Sequence, residues 1–187
     1  MADSRYASRF RYLDAADVDD AAVSFDGLDV VGSDGERIGA IDGFVVDAAA
    51  RRVNHIVVDS GGWFSSGWLL LPIGHAAVAP DRKSLRTDVT RDALRRLPDF
   101  DADRFSDFTD EELHAFERHT AIACCPDQPL EEVSTTKWGY ESWGHYRQPE
   151  WWRMDHYAPE RLRSIASVYA SSGSADRLAS VLGRSTG

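Results

Sequence analysis

Residues 28–72 read LDVVGSDGERIGAIDGFVVDAAARRVNHIVVDSGGWFSSGWLLLP, and this stretch decides the fold. It is rich in β-branched and aromatic residues, cut at short intervals by glycine and aspartate, which is the composition of strands joined by tight turns. Leu28, Val30 and Val31 predict a short strand, and Ser33-Asp34-Gly35-Glu36 predicts a turn in which Gly35 supplies the positive φ of a hairpin. Arg37 to Asp47 predicts a long strand, with Gly39 and Gly43 marking bulges or bends. Val53 to Asp59 alternates, so Val53, His55, Val57 and Asp59 are expected on one face and Asn54, Ile56 and Val58 on the other. His55 is therefore read as a partly buried histidine satisfied by a neighbouring strand, not as a ligand.

Working outward, Ser60 to Trp68 is a glycine- and serine-rich hairpin loop whose Trp63, Phe64 and Trp68 are expected to cap one end of a barrel. It is not a phosphate cradle, because no Lys-Ser/Thr pair and no helix N-terminus follow it. Strands are expected at Leu69–Leu71, Ala76–Ala79 and Ser84–Asp88, with Pro80-Asp81-Arg82-Lys83 turning the chain between the last two. Five or six short antiparallel strands of this kind can close into a barrel, which removes exposed sheet edges. Residues 1–22 show neither alternation nor helical spacing and are expected to form a flexible arm.

Beyond the strands, Thr90 starts a short helix ended by Pro98. The acids at Asp99, Asp101, Asp103 and Asp107 lack the glycine and glutamate of a calcium loop and read as a solvated linker. Thr109 with Glu112 forms a capping box for a helix running to about Ala121, its Leu113 and Phe116 turned inward. His114, His119, Cys124 and Cys125 match no closed Cys/His spacing and read as ordinary surface residues. Trp138, Tyr140, Trp143, Tyr146, Trp151, Trp152 and Tyr157, interleaved with glycine and proline, predict an extended strap lying on the barrel or on a partner subunit. Helices are expected from Pro159 through Leu162, Ile165, Ala166 and Tyr169, and from Ser174 to Gly183.

Charge and composition narrow the functions. The chain has 21 basic and 31 acidic side chains, a formal net charge of -10. That balance opposes counterion-release binding, so no nucleic-acid partner is expected. No run of about 18 apolar residues is present, so no transmembrane helix is expected, and residues 1–20, MADSRYASRFRYLDAADVDD, lack the apolar core of a signal peptide, so the location is read as cytoplasmic. The adjacent cysteines are read as reduced thiols.

The segments VVGSDGERIGAIDGFVVD, VNHIVVDSGG and LLLPIGHAAV resemble the PRC-barrel family, named for the cytoplasmic part of the photosynthetic reaction-centre H subunit. The resemblance rests on Gly35, Ile38, Gly39, Asp42, Asp47, Asp59, Gly61, Gly62 and Pro72, all turn or strand-end positions. It implies a small antiparallel barrel over residues 23–100; joined to the residue-level reading of the remainder, the chain is expected to be α+β, with an acidic linker and short helix over 101–137 and an aromatic strap with helices over 138–187. The resemblance further implies an assembly and docking module, not a catalyst. No family is recognised for residues 101–187, no histidine or carboxylate spacing sets a nucleophile beside a base, and no catalytic residue, cofactor or metal site is expected.

The expected function is thus a non-enzymatic homodimer that also binds another protein, in stress adaptation or envelope-associated assembly. Trp63, Trp68, Trp138, Tyr140, Trp143, Trp151, Trp152 and Tyr157 are its expected contact surface. The alternative is a small-ligand or metal site between barrel loop and strap, using His55, His75, His145 or the Cys124–Cys125 pair.

Overall fold

The computed structural model describes residues 9–20, 22–125, 144–153 and 156–170. Trp138, Tyr140, Trp143 and the helix expected from Ser174 lie outside these residues. The core is a seven-stranded sheet of β1 (Phe10–Asp14), β2 (Asp29–Val31), β3 (Arg37–Asp47), β4 (Arg52–Asp59), β5 (Trp68–Pro72), β6 (Ala76–Val78) and β7 (Ser84–Thr87). Its order is β5-β4-β3-β2-β7-β6, with β1 pairing the far half of β3. The expected α+β class stands, but the sheet does not close into a barrel, and β2 runs parallel to β7. Phe10–Asp14, expected in a flexible arm, is a strand paired along Gly43–Asp47.

The apolar runs explain why the sheet is covered on both faces. In FVV, IVV and LLL, successive side chains point to opposite sides, so a strand apolar at every position must be buried on both. Phe44, Val46, Ile56, Val58, Leu69 and Leu71 enter one core with Leu13, Phe25, Ile38, Leu85 and Trp152. Val45, Val57 and Leu70 enter a second core with Tyr12, Phe100, Phe105, Leu113, Phe116 and Ile165. Among the described residues, α2 (Ala102–Ser106), α3 (Asp110–Cys124) and α4 (Ile165–Ala170) contribute to that second core.

The bends expected at the β3 glycines coincide with register shifts, between Ile41 and Gly43 against β4 and beside Gly39 against β2; a second bulge of the β3–β4 pair falls between Val45 and Val46. Across the second bulge Val45 faces His55 while Val46 faces Val53, so Asn54 is the extra residue of β4. This breaks the expected alternation: Val53 joins the core of Ile56 and Val58 instead of sharing a face with His55. Gly39 is required by close approach, since a Cβ there would meet the Asp59 carbonyl. At Gly43 a Cβ would meet the Tyr12 ring. Gly35 takes φ +81° in the β2–β3 turn, as its position in the hairpin demands.

The helices follow their caps. Thr90 caps α1 (Arg91–Leu94), Asp101 caps α2 within the stretch expected to be linker, and Thr109 with Glu112 forms the capping box of α3, which runs on to Cys124. Past Pro159 the helical expectation fails for several residues. Only a 3-10 turn forms at Pro159–Arg161, and the chain is then extended, because Arg163 exchanges two backbone hydrogen bonds with Tyr12 (both 2.8 Å) before α4 begins.

Candidate functional site

The residues that matched by resemblance hold the sheet in shape. Asp47 is fully buried, with one carboxylate oxygen on Arg9 Nε (2.5 Å) and the other accepting from the Ala50 N–H of the β3–β4 turn (2.9 Å). Asp59 accepts from the Gly61 N–H (2.9 Å), opening the loop that Gly61 and Gly62 continue at positive φ. Asp42, the extra residue of the first β3 bulge, accepts from Tyr12 Oη (2.9 Å) and Tyr169 Oη (2.7 Å). Burial raises the Asp42 carboxyl pKa while the two tyrosine hydrogen bonds oppose the shift. Both tyrosine hydroxyls are pushed up by burial and by the Asp42 charge.

The expected contact aromatics divide. Trp152 and Tyr157 are buried in the chain's own core, Trp152 against Phe44 with ring centroids 4.9 Å apart. Trp151 packs on the same core and donates from Nε1 to the Ala76 carbonyl (3.1 Å). The described part of the strap therefore lies on the chain's own sheet. Trp63 and Trp68 stay partly exposed. Trp63 donates to the Ile38 carbonyl (2.5 Å) and lies under the guanidinium groups of Arg91 and Arg95, 4.7 and 5.7 Å from its ring centre. Trp68 meets Tyr169 edge-on at 4.8 Å.

His55 is fully buried among Phe105, Phe116 and Tyr146. Its partner is the Tyr146 hydroxyl on the strap (Oη to Nε2, 3.4 Å), not a neighbouring strand, and among the described residues its Nδ1 has no hydrogen-bond partner. Burial lowers its pKa to about 3, so it is a neutral packing residue.

His75, Cys124 and His145 come together. His75 ends the 3-10 turn Ile73–His75 between β5 and β6, Cys124 ends α3, and His145 lies in the 3-10 turn Gly144–Tyr146. Their donor atoms all lie within 4.8 Å of one another. His75 Nε2 is 2.6 Å from His145 Nδ1, and His75 Nδ1 is 2.6 Å from a carboxylate oxygen of Asp88. The Asp88 N–H donates back to the His75 carbonyl (3.2 Å), fixing the end of β7 against the turn. Both imidazoles are buried and Cys124 is half-buried. Burial lowers the His145 pKa to about 4, with His75 adding to the shift and Asp88 opposing it. Burial pushes the Cys124 thiol up to about 12, helped by Cys125 and Asp88.

Two imidazole nitrogens and a sulfur converging in this way can hold a borderline-soft metal ion or form a neutral hydrogen-bonded cluster. Cys125 and His55, placed with this group from the sequence, do not belong to the converging set. Asp88 was missed there. Its only sequence signal is an acid at a strand end, whereas its role arises from a partner 13 residues away that a turn brings back.

Comparison with known proteins locates this cluster relative to a family. Residues 17–94 match the PRC-barrel domain, and the remainder is not matched to a family. The same length of chain, 78 residues or 42% of it, is 31% identical to an uncharacterized protein of Deinococcus radiodurans and spans 28% of that protein. His75 and Asp88 fall inside the matched segment, and Cys124 and His145 fall in the extension.

Proposed function

We propose, with residues 17–94 as a PRC-barrel domain, that this chain is a non-enzymatic interaction module that works as a homodimer and docks a further protein. The observation that supports the reading best is the cluster of Trp63 with Arg91 and Arg95, partly exposed at the rim of the sheet. Tryptophan and arginine are the side chains that most often dominate interface energetics, and stacking pre-organises both. On a chain of net charge -10 this arginine pair is locally complementary to the acidic surface of a second copy. Trp152 and Tyr157 serve a different purpose, holding the extension to its own domain.

Light scattering of the full chain against a Trp63→Ser/Arg95→Glu double variant tests the proposal. The dimer mass is expected for the first and the monomer mass for the second, with unchanged circular dichroism. A monomeric wild-type chain, or a variant that remains dimeric, overturns it.

A further inference from the structure

We propose that His75 Nε2, His145 Nδ1 and Cys124 Sγ are three ligands of a zinc ion that fastens the C-terminal extension to the PRC-type sheet. The donor set is two nitrogens and one sulfur, which suits zinc and disfavours calcium and magnesium, ions that select oxygen. Tetrahedral zinc with ordinary bond lengths sets its nitrogen and sulfur ligands about 3.3–3.6 Å apart. The three donor atoms already lie within 4.8 Å of one another. The two nitrogens, 2.6 Å apart, have only to open by somewhat under ~1 Å to reach that spacing.

A second, independent feature is the carboxylate behind His75. Metal-bound histidines characteristically donate their other ring N–H to a carboxylate, which fixes the tautomer and aims the lone pair. Asp88 at 2.6 Å from His75 Nδ1 does this, leaving Nε2 as the atom turned toward His145 and Cys124. Asp88 is thus a positioning residue, and its backbone bond to the His75 carbonyl holds the pair in register. On zinc binding the thiol proton of Cys124 leaves to solvent, the ring proton of His145 moves from Nδ1 to Nε2 so that both imidazoles stay neutral, and no electron is transferred.

The placement of the ligands states what the ion would do. His75 belongs to the domain, Cys124 closes α3 and His145 lies in the strap, so one ion would join three pieces of chain. It would also close the stretch 125–144 into a loop, restricting the unfolded chain as a covalent cross-link does. Three protein ligands leave a fourth position for water or a further side chain.

The full-length chain, freed of metal with a chelator, is titrated with Co²⁺ and then with Zn²⁺. One equivalent of Co²⁺ is expected to produce a thiolate-to-cobalt charge-transfer band, which Zn²⁺ abolishes, and Zn²⁺ is expected to raise the thermal transition. Cys124→Ser is expected to lose the band and the thermal shift, and His119→Ala, an exposed histidine elsewhere on α3, to keep both. Asp88→Asn is expected to weaken Zn²⁺ about 10–100-fold while keeping the band. X-ray absorption at the zinc edge of the wild-type protein reads the ligands without any substitution, and should show sulfur together with imidazole scattering. No band on the full chain, a band unchanged in Cys124→Ser, a band that disappears in Cys125→Ser instead, or a zinc shell without sulfur each overturns the assignment.

Discussion

The side-chain amide of Gln148 takes the place of a missing strand at Val53. The Val53 N–H donates to Gln148 Oε1 (3.1 Å), and Gln148 Nε2 donates to the Val53 carbonyl (2.7 Å). β5 pairs with β4 only from His55 to Asp59, so without Gln148 these two backbone groups would be left at a buried edge. The clip also sets the strap, because the same Nε2 reaches the Tyr146 carbonyl (3.3 Å) one residue beyond His145.

Gln148→Ala is expected to destabilise the protein by about 1–3 kcal/mol, the cost of stranding buried backbone groups. Urea denaturation at neutral pH measures it. Gln148→Glu should be at least as damaging, since a carboxylate can accept from the N–H but repels the carbonyl. A loss of under about 0.5 kcal/mol for both would mean that water replaces the clip.

Tyr169→Phe removes one of the two hydroxyls that donate to Asp42 and should loosen α4 more than the sheet. A hydrogen bond to a charged group is worth about 1.5–3 kcal/mol. Hydrogen exchange should accelerate in residues 165–170 while β3 and β4 keep their protection. Equal acceleration everywhere would show that the tail and the sheet unfold as one unit.

Two buried groups should bend the stability curve in opposite directions. Burial raises the Glu117 pKa to about 7 against 4.5 for the free group, with Arg9 opposing the shift. The folded state therefore holds the extra proton, and this contribution is full below about 4.5 and is lost as the pH rises through 7. Glu117→Gln should stabilise the protein at pH 8 by on the order of 2 kcal/mol and change little at pH 4. His55, with a pKa lowered from 6.5 to about 3, contributes fully above 6.5 and loses its contribution as the pH falls through that window. His55→Gln should accordingly reduce the drop in urea midpoint between pH 7 and pH 5.

Gly39→Ala is expected to cost more than about 2 kcal/mol, because the added methyl meets backbone, the Asp59 carbonyl, and no side chain can move to make room. Gly35→Ala meets nothing within 4 Å but forces a β-carbon residue to φ +81°, so its cost should be about 1–2 kcal/mol. Thermal melts of the pair separate steric from conformational demand. A smaller effect at Gly39 than at Gly35 would contradict the close approach.

What the sequence showed of the fold was whatever is local. The turn at Gly35, the loop opened by Asp59, and the capping box of Thr109 and Glu112 each depend on residues a few positions apart, and each formed as read. Asn54 is the instructive failure. A bulge is set by pairing with another strand, so a period-2 reading of β4 by itself had no means of placing Val53 on the other face. The parallel pairing of β2 with β7 and the strand at Phe10–Asp14 failed for the same reason. The unbroken apolar runs did carry a usable signal, since strands apolar on both sides need cover on both sides. His75 and His145 could be listed from the sequence, but 70 residues separate them and only the folded strap brings them to 2.6 Å.

The pairing of Tyr12 with Arg163, reinforced by the Arg163–Asp14 ion pair across 149 residues of chain, also constrains the order in which the molecule is made. β1 can pair with β3 early in synthesis, but its other edge waits until residue 163 has left the ribosome. Such a contact closes one of the widest loops in the molecule, so its entropy cost falls on the last steps of folding. A nascent chain stalled before residue 160 would present an open β1 edge to chaperones and to its neighbours on the polysome.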